Sequence, residues 1–354
     1  MAKLFVLNLG STSTKVGLYE NDILLHSVSL RHTAEELRPF KSIMDQEALR
    51  KTCVEEWMAE IGFSFRDLDL LVVRGPLVKP VEGGIYELNK DIVDDACSQN
   101  YGIHITNVGI VLGYNWGQTF TLPVIFVDAP ITDEFCDQAR YSGLKGYDRR
   151  SVFHALNSKQ IVRETALSLK RDVTDLNLIV AHLGGGISVS AHAHGRVIDV
   201  SNALDGEGPF SPERVGAIAA MDVLKLAQDY DFNRNIVKKH LVGLGGLTSY
   251  LGHANVSQAI EEAKTDVETK KVLDAMAYQI AKEIGAMAAV LQGKVDGVCF
   301  TGGIAHNQDF VAMIREYTDW IAPVYVYPGE DELRAMALGG LRYLNKEEKP
   351  KHYR

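Results

Sequence analysis

The sequence predicts a duplicated α/β fold, because a strand–turn–strand pattern with a glycine-containing turn occurs twice along the chain. The first copy spans residues 6–19 and the second spans residues 180–191. When the two are superposed, Gly10 meets Gly184, and each copy is an apolar strand, a turn of small residues and a second strand. One copy is typical of any β-hairpin. Two copies, one in each half of the chain, indicate duplication.

Both turns have the composition of a phosphate-binding loop. The second turn, 184–186, is three consecutive glycines, which expose backbone N–H groups with no Cβ in the way. It follows His182, the position equivalent to Asn8 in the first copy. The first turn brings together an amide, three hydroxyls and an amine: Asn8, Ser11, Thr12, Ser13 and Lys15. The pair predicts a fold that holds one polyphosphate from both sides, although a surface hairpin explains the first turn equally well.

Length and composition set the class of protein. A chain of 354 residues is long enough for two domains, each with its own core. Hydrophobic residues make up 46% and charged residues 23%, which is ordinary for a globular protein. The net charge of -9 argues against a nucleic acid or an anionic membrane as partner. Anionic small molecules remain compatible, because a few cations can reverse the field within a cleft.

The cysteines and the hydropathy predict a cytoplasmic protein. The four cysteines have no CxxC spacing, so reduced thiols are expected in place of a zinc site or disulfides. The N-terminal segment is too short and too structured for a signal peptide. No apolar run approaches the length of a membrane span.

In the first half of the chain, apolar spacing predicts alternating strands and helices. A period of two over 4–30 indicates two or three strands. A helix is expected over 43–61 and a buried strand over 68–73. Residues 90–118 are predicted to alternate helix with glycine-bearing loops. The last two elements are a strand over 123–128 and a helical stretch over 133–160 that carries the crossing into the second half.

The second half continues the pattern after the second hairpin. A long helix is predicted from apolar residues spaced by three and four: Leu273, Met276, Ile280, Ile284, Met287 and Leu291. A strand over 295–300, a helix beginning near Asn307, a strand over 322–327 and a final helix over 331–344 follow. The charged segment 346–354 is expected to be peripheral. We place the domain boundaries at 1–150 and 151–330, with the option that 331–354 packs back on the first domain.

Three charged residues are candidates for the site, and one of them, Arg74, lies at a strand end, where open α/β sheets place their clefts. Arg74 follows the apolar strand 70–73, and Asp128 ends another. Arg214 lies in a loop, 205–214, that is too rich in glycine and proline to be regular. A guanidinium binds carboxylate or phosphoryl oxygens through two hydrogen bonds. A surface ion pair is the alternative for either arginine.

Further candidates are less specific. Gly302 and Gly303 follow a buried strand and could receive a nucleotide's sugar and α-phosphate. The acidic cluster 330–332 begins a helix, where acidic residues commonly complement the helix dipole. His104 and His154 lie in mixed polar and apolar contexts that do not separate them from ordinary surface or core histidines.

Several of these motifs resemble the acetate and butyrate kinase family, and its butyrate kinase branch in particular. The first is the run from Asn8 to Lys15. The others are 74–84, 149–157, 181–214, 301–306 and the Pro328–Gly329 pair with its acidic cluster. The resemblance covers nearly the whole chain, and the 202–214 segment is its most specific part.

The resemblance implies a duplicated ribonuclease-H-like fold of the actin, hexokinase and heat-shock ATPase type, with two lobes and an interlobe nucleotide cleft. It implies ATP/ADP and Mg²⁺ as cofactors and a homodimer or higher homo-oligomer. The implied reaction is butyrate + ATP = butanoyl phosphate + ADP, by direct in-line and reversible phosphoryl transfer to the carboxylate. Acetate, propionate or isobutyrate is the alternative acceptor.

Roles follow from the resemblance residue by residue. It implies that Arg74 and Arg214 bind the acyl carboxylate and the phosphoryl group, with His154 and Asp128 beside them and His104 matching less closely. It implies cofactor binding by Asn8, Ser11, Ser13, Lys15, His182, Gly184, Gly185, Gly186, Gly302 and Gly303. For the metal it implies Asn8 with Glu332 or Glu330.

The chain departs from the family pattern near the expected acyl site. Val73 and Pro76 replace glycines on either side of the Arg74–Gly75 pair, and 103–107 carries larger residues than relatives favour. These departures make acyl-chain preference the least determined property. Two other classes of protein share the implied fold. A heat-shock-like ATPase switch would normally carry a dedicated partner-binding domain, and none is visible in the sequence. A sugar kinase would need an aspartate base beside the sugar hydroxyl.

Overall fold

The computed structural model describes residues 1–353 and divides into two compact units. The first unit combines Met1–Asp133 with the residues from Asp331 onward, and the second is Glu134–Glu330. Among the described residues, no helix has the length and apolar character needed to cross a bilayer.

The elements are numbered in chain order. The strands are β1 (Lys3–Gly10), β2 (Ser13–Glu20), β3 (Ile23–Arg31), β4 (Leu70–Arg74), β5 (Ile85–Glu87), β6 (Val124–Val127), β7 (Asn177–Leu183), β8 (Ile187–Ala193), β9 (Arg196–Val200), β10 (Gly297–Gly302) and β11 (Val324–Pro328). The α-helices are α1 (Ala34–Leu37), α2 (Glu47–Glu60), α3 (Lys90–Ser98), α4 (Ile105–Phe120), α5 (Asp137–Arg140), α6 (Ala155–Leu169), α7 (Ala220–Asp229), α8 (Arg234–Leu241), α9 (Leu247–Leu251), α10 (Val256–Glu262), α11 (Val267–Val290), α12 (Gln308–Thr318) and α13 (Glu332–Leu344). Short 3₁₀ turns occupy Ile43–Gln46, Phe65–Asp67, Val173–Asp175 and Gly303–His306.

The first unit is built on a six-stranded sheet in the order β3-β2-β1-β4-β6-β5. Strands β1, β4 and β6 are parallel, and β1–β2–β3 form an antiparallel meander. The β1–β2 register pairs Asn8 with Lys15 and Gly10 with Ser13. Arg74, the last residue of β4, pairs with Val127 at the end of β6. Parallel strands thus bring Arg74 and the residue after Val127 to one edge of the sheet.

Helices cover both faces of this sheet at short range, and glycines permit the approach. On α4, a Cβ added at Gly113 would lie 2.7 Å from Val73, and one added at Gly117 would lie 2.7 Å from Val124. On α13, a Cβ added at Gly340 would lie 2.6 Å from Leu4. Because alternate residues of a strand face opposite sides, α4 and α13 bury opposite faces of the same strands.

The second unit repeats the same plan. Its sheet has the order β11-β10-β7-β8-β9, with β7, β10 and β11 parallel and β7–β8–β9 antiparallel. Read from the meander inward, this is the order of the first five strands of the first unit. Helix α11 packs Met276, Ile280 and Ile284 into the core over β7 and β8. The predicted duplication of an α/β fold is confirmed.

The predicted helical crossing over 133–160 is wrong. Before α6 begins at Ala155, only the short α5 forms, and the chain is irregular from Tyr141 to His154. Gly143 and Gly146 adopt positive φ values of 92° and 88°, which a helix does not accommodate. The predicted domain limit was 150, whereas the structure assigns residues from Glu134 onward to the second unit.

The expectation of a peripheral C-terminal segment is also wrong. Tyr353 is 3% exposed, and its hydroxyl donates to Asp95 at 2.5 Å. The backbone N–H of Lys351 donates to the carbonyl of Ile85 at 2.7 Å, which extends the edge at β5. The segment after α13 is therefore an integral part of the first unit.

Candidate active site

The site residues expected from sequence fall into two groups, one in each unit. In the first unit, Asn8, Arg74 and Glu332 form one cluster. Asn8 Nδ2 donates to Glu332 Oε2 at 2.6 Å, and Arg74 Nη2 lies 2.6 Å from Glu332 Oε1. Helix α13 supplies the glutamate from its first turn, while β1 and β4 supply the other two residues at neighbouring strand ends.

The three acidic residues at the start of α13 have separate contacts. Asp331 is the N-cap, since its Oδ1 accepts the N–H of Arg334 at 2.9 Å. Glu332 joins the Asn8–Arg74 cluster, whereas Glu330 belongs to the second unit. Complementing the helix end therefore accounts for Asp331 but not for Glu332.

Arg74 retains a donor for a further anion. Its side chain is 14% exposed, and Nη1 is buried with no hydrogen-bond partner among the described residues. A buried donor left without a partner costs about 1–3 kcal/mol. Next to it, a Cβ at Gly75 would lie 2.5 Å from Ala129 Cα, so the chain leaves β4 packed against the segment after β6.

Asp128 and His104 flank this strand end with structural contacts. Asp128 is 1% exposed with φ 41°, and its Oδ1 accepts the N–H of Gly84 at 2.8 Å. His104 is the N-cap of α4, with Nδ1 3.0 Å from Thr106 Oγ1. Burial, followed by the Arg74 charge, lowers the pKa of His104. His104 is thus disposed to be neutral beside the arginine.

The first hairpin turn is anchored from behind. Ser11 and Thr12 are exposed, but their carbonyls are engaged: Ser11 O accepts from Arg50 and Thr12 O accepts the N–H of His32 at 2.9 Å. Lys15 lies on β2 opposite Asn8, and its side chain is exposed. The turn therefore presents its hydroxyls and the amine outward.

A buried histidine behind this turn predicts a pH-dependent stability. His32 is 5% exposed, and its Nε2 lies 2.9 Å from Thr14 Oγ1. Burial, and then the Arg50 charge, lower its pKa below the ordinary value of 6.5. The folded state then binds this proton less readily than the unfolded state, so the free energy of unfolding should decrease as the pH falls below about 6.5.

Urea unfolding of the wild type and of His32→Gln at pH 8 and pH 5.5 measures this effect. The wild type should lose more stability than the variant over that interval, because glutamine keeps a hydrogen bond to Thr14 without titrating. Equal losses in the two proteins would contradict the assignment.

In the second unit, two histidine rings are stacked. The centroids of His154 and His182 are 3.7 Å apart with an interplanar angle of 10°. His154 Nδ1 is 3.0 Å from Ser188 Oγ, and His182 Nδ1 is 2.8 Å from Asn157 Oδ1. His182 Nε2 lies 3.7 Å from Glu330 Oε2. Side chains of the same unit therefore hold the Nδ1 atoms of both rings.

The glycine turn after β7 is occupied by side chains of the loop that carries Arg214. A Cβ added at Gly186 would lie 2.5 Å from Arg214 Cζ, and one added at Gly185 would lie 3.0 Å from Glu213 Oε2. Arg214 Nη1 also donates to the carbonyl of Ala203. Backbone access was predicted to serve a phosphate. In this structure the missing Cβ of Gly186 admits the guanidinium.

Arg149 fixes the base of the 202–214 loop. Its Nε donates to Glu207 at 2.8 Å, and Nη1 donates to Asp199 and to the carbonyl of Ala139, each at 2.9 Å. Its Nη2 donates to the carbonyl of Val200 at 3.1 Å. All three of its side-chain nitrogens are therefore engaged within the unit, and the loop that bears Arg214 begins from a rigid point.

Gly302 and Gly303 differ in what surrounds them. Gly302 has φ 87°, and a Cβ there would lie 2.8 Å from the carbonyl carbon of Leu183, so close backbone packing requires this glycine. A Cβ at Gly303 meets nothing within 4 Å. Gly303 is therefore the member of the pair with open space for a ligand.

The sequence analysis did not identify three residues that hold the candidate site residues in place. Ser188 and Asn157 hold the stacked histidines, and Arg50 holds the first turn. The His182–Ser188 pairing follows from the hairpin register, and Asn157 follows His154 by three residues, so both had a local signal. Arg50 had none, because its acceptors in the first turn and at Thr14 are 36 to 39 residues away in sequence.

Comparisons with known proteins show which family and which fold the chain is similar to. Residues 141–318 match the model of the acetokinase family. The chain is 44% identical over 352 residues, 99% of both sequences, to a protein from Clostridium botulinum (strain Alaska E43 / Type E3) named "Probable butyrate kinase". It superposes on Porphyromonas gingivalis acetate kinase with a TM-score of 0.81 and 18% identity, covering 97% of this chain and 100% of that one. A propionate kinase from Francisella tularensis gives a TM-score of 0.74 and 18% identity, covering 96% and 99%.

The structural likenesses define the fold, which is the duplicated α/β fold of acetate kinase. The chain belongs to the acetokinase family. Both the ribonuclease-H-like duplication and the family resemblance read from the sequence are confirmed.

Proposed function

We propose that this chain transfers the γ-phosphoryl group of ATP to the carboxylate of butyrate, giving butanoyl phosphate and ADP reversibly. The 44% identity over nearly the full length to a protein named probable butyrate kinase carries the proposal. We further propose that it works as a cytoplasmic homodimer or higher homo-oligomer, as the sequence analysis expected.

The chemistry of the clusters supports an anionic acceptor. A carboxylic acid with a pKa near 4.3 is ionised at neutral pH, so it attacks phosphorus without a strong base. One carboxylate O–P bond forms, the bond from phosphorus to the β,γ-bridging oxygen breaks, and ADP leaves with that electron pair. Because an anion attacks an anion, the reaction needs cations and N–H donors more than it needs a nucleophilic side chain.

We assign the charge-stabilising roles to residues of both units. The Nη1 group of Arg74, buried with no partner among residues 1–353, would bind the acyl carboxylate. Arg214 and His154 would stabilise the transferred phosphoryl oxygens. Asp128, which fastens the Gly84 loop, would orient the strand end that carries Arg74, with His104 beside it.

For the nucleotide, Ser11, Ser13 and Lys15 would meet the phosphate end, and His182 with 184–186 would hold the β- and γ-phosphates. Gly302 and Gly303 would adjoin the adenosine. Mg²⁺ fits the cluster of Asn8 and Glu332, because it takes hard oxygen ligands and keeps phosphate and water in most of its coordination positions. When bound, it supplies charge neutralisation at the phosphates. Glu330 is the weaker candidate, since its carboxylate lies beside His182.

A fatty-acid panel tests the proposal. Acyl hydroxamate formation with MgATP should be most efficient with butyrate among acetate, propionate, butyrate, isobutyrate and valerate. Butyrate has two more methylene groups than acetate, and their burial in an apolar pocket should raise kcat/KM about tenfold or more above the value for acetate. Propionate remains the second candidate, because the departures at Val73 and Pro76 adjoin Arg74 and the structurally similar proteins include a propionate kinase.

The same assay separates the rival classes. A maximum on acetate or propionate would overturn butyrate as the substrate. ATP hydrolysis that no acid accelerates would indicate an ATPase switch, and phosphorylation of hexose or glycerol would indicate a sugar kinase. Either of these would overturn carboxylate phosphorylation.

A further inference from the structure

Arg50 is a fully buried cation directly behind the first hairpin turn. It lies in the first turn of α2, and its side chain is 0% exposed. Its Nη1 donates to the carbonyl of Ser13 at 2.6 Å, and its Nη2 donates to the carbonyl of Ser11 at 3.0 Å. One guanidinium therefore bridges both ends of the turn.

The charge of Arg50 is not balanced by an acidic side chain. Its other contacts are neutral: Nη1 donates to Thr14 Oγ1 at 2.9 Å and Nη2 to Gln46 Oε1 at 3.0 Å. Within the described residues no carboxylate pairs with it, and Nε is buried without a hydrogen-bond partner. Burial lowers the pKa of Arg50 to about 10, so the group stays protonated at neutral pH. An unpaired buried charge is costly, which points to a use for it.

The hydrogen bonds also fix the direction of the turn. The carbonyls of Ser11 and Ser13 are held by Arg50, and that of Thr12 by the N–H of His32. In a planar trans peptide the N–H points opposite to the preceding carbonyl. The N–H of Thr12 is therefore turned away from Arg50, whereas Ser13 pairs with Gly10 across the hairpin. An outward N–H at the tip of the turn can bind an anion, and here a positive charge stands behind it.

We propose that Arg50 is a positioning residue for the nucleotide phosphates, which it serves by holding the carbonyls of the first turn inward and adding positive potential behind the turn. This inference rests on the proposed function, in which the first turn meets the phosphate end of ATP. Arg50 itself touches no substrate.

The test compares dissociation constants for MgATP and for adenosine, measured by titration calorimetry on the full chain. Arg50→Gln should raise the dissociation constant of MgATP by about tenfold or more, the effect expected from the loss of charged hydrogen bonds. The dissociation constant of adenosine should change by less than about twofold. Arg50→Lys, which keeps the charge but cannot bridge both carbonyls, should fall between Gln and wild type. The neighbouring exposed Lys51→Met removes one charge from the same helix and should leave both constants unchanged.

The inference would be overturned if Arg50→Gln left the ratio of the MgATP and adenosine dissociation constants unchanged, either because neither constant changed or because both rose equally. If the Arg50 variants do not fold, Gln46→Met provides the test, because it removes one acceptor of the guanidinium. The ratio of the MgATP to the adenosine dissociation constant should then rise by about threefold. No change in that ratio would overturn the inference. Failure of the proposed function is a separate result. Wild-type protein would then form no acyl phosphate with any acid, while the binding ratio would still report on Arg50.

Discussion

Replacing Gly186 with alanine is expected to lower kcat by at least about a hundredfold, the loss typical of a displaced transition-state donor. The new methyl group would lie 2.5 Å from Arg214 Cζ, so the guanidinium must leave its position. The second unit should remain folded, because Gly186 is not among the residues with positive φ. The same change would therefore act through Arg214 and not through the backbone.

A double-mutant cycle measures this coupling. Gly186→Ala and Arg214→Ala should each reduce acyl hydroxamate formation, and the double variant should be little worse than Arg214→Ala alone. Gly285→Ala is the matched control, since a Cβ at this α11 position meets nothing within 4 Å; its activity should equal wild type. Additive losses in the cycle would show that Gly186 acts independently of Arg214.

Replacing Arg74 with methionine is expected to lower kcat/KM by about a thousandfold, at the lower end of what a transition-state arginine contributes to phosphoryl transfer. Two effects combine: the acyl carboxylate loses its donor at Nη1, and Glu332 loses its 2.6 Å partner. An uncompensated Glu332 would also repel the incoming anion.

Arg74→Lys and the double variant Arg74→Met/Glu332→Gln separate the two effects. Lysine keeps the charge but lacks the planar fork, so it should remain at least about tenfold below wild type. Removing the Glu332 charge from the methionine variant also removes the proposed Mg²⁺ ligand, so activity should recover only if the repulsion costs more than the lost ligand. Steady-state kinetics with butyrate varied at saturating MgATP measure all three variants, and Arg74→Met within tenfold of wild type would refute the role assigned to Arg74.

The sequence was informative where local pattern decides structure. Alternating and helical spacings located both meanders, the long helix α11 and the strand that ends at Arg74, because burial of one face imposes a period on the residues. The crossing over 133–160 was misread since its polar composition suits a helix, whereas Gly143 and Gly146 interrupt it.

Contacts between distant parts of the chain left no such signal. The use of Gly186 depends on Arg214, 28 positions away, and the support of the first turn depends on Arg50 from another element. Neither is visible until the fold brings the partners together. The sequence analysis could therefore predict the glycine turn and the arginines separately, but not that Arg214 lies against Gly186.

The first unit is built from two chain segments separated by the whole second unit, and this has a consequence for biosynthesis. Its sheet is complete once residue 127 has been made, yet α13 and Tyr353, which cover and tie that sheet, are translated only after the entire second unit. During that interval one face of β1 and β4 lacks its helix and exposes apolar side chains such as Leu4. The second unit, contiguous in sequence, can fold on the ribosome first. Truncation or tagging near residue 353 should therefore impair a unit that begins at the opposite end of the chain.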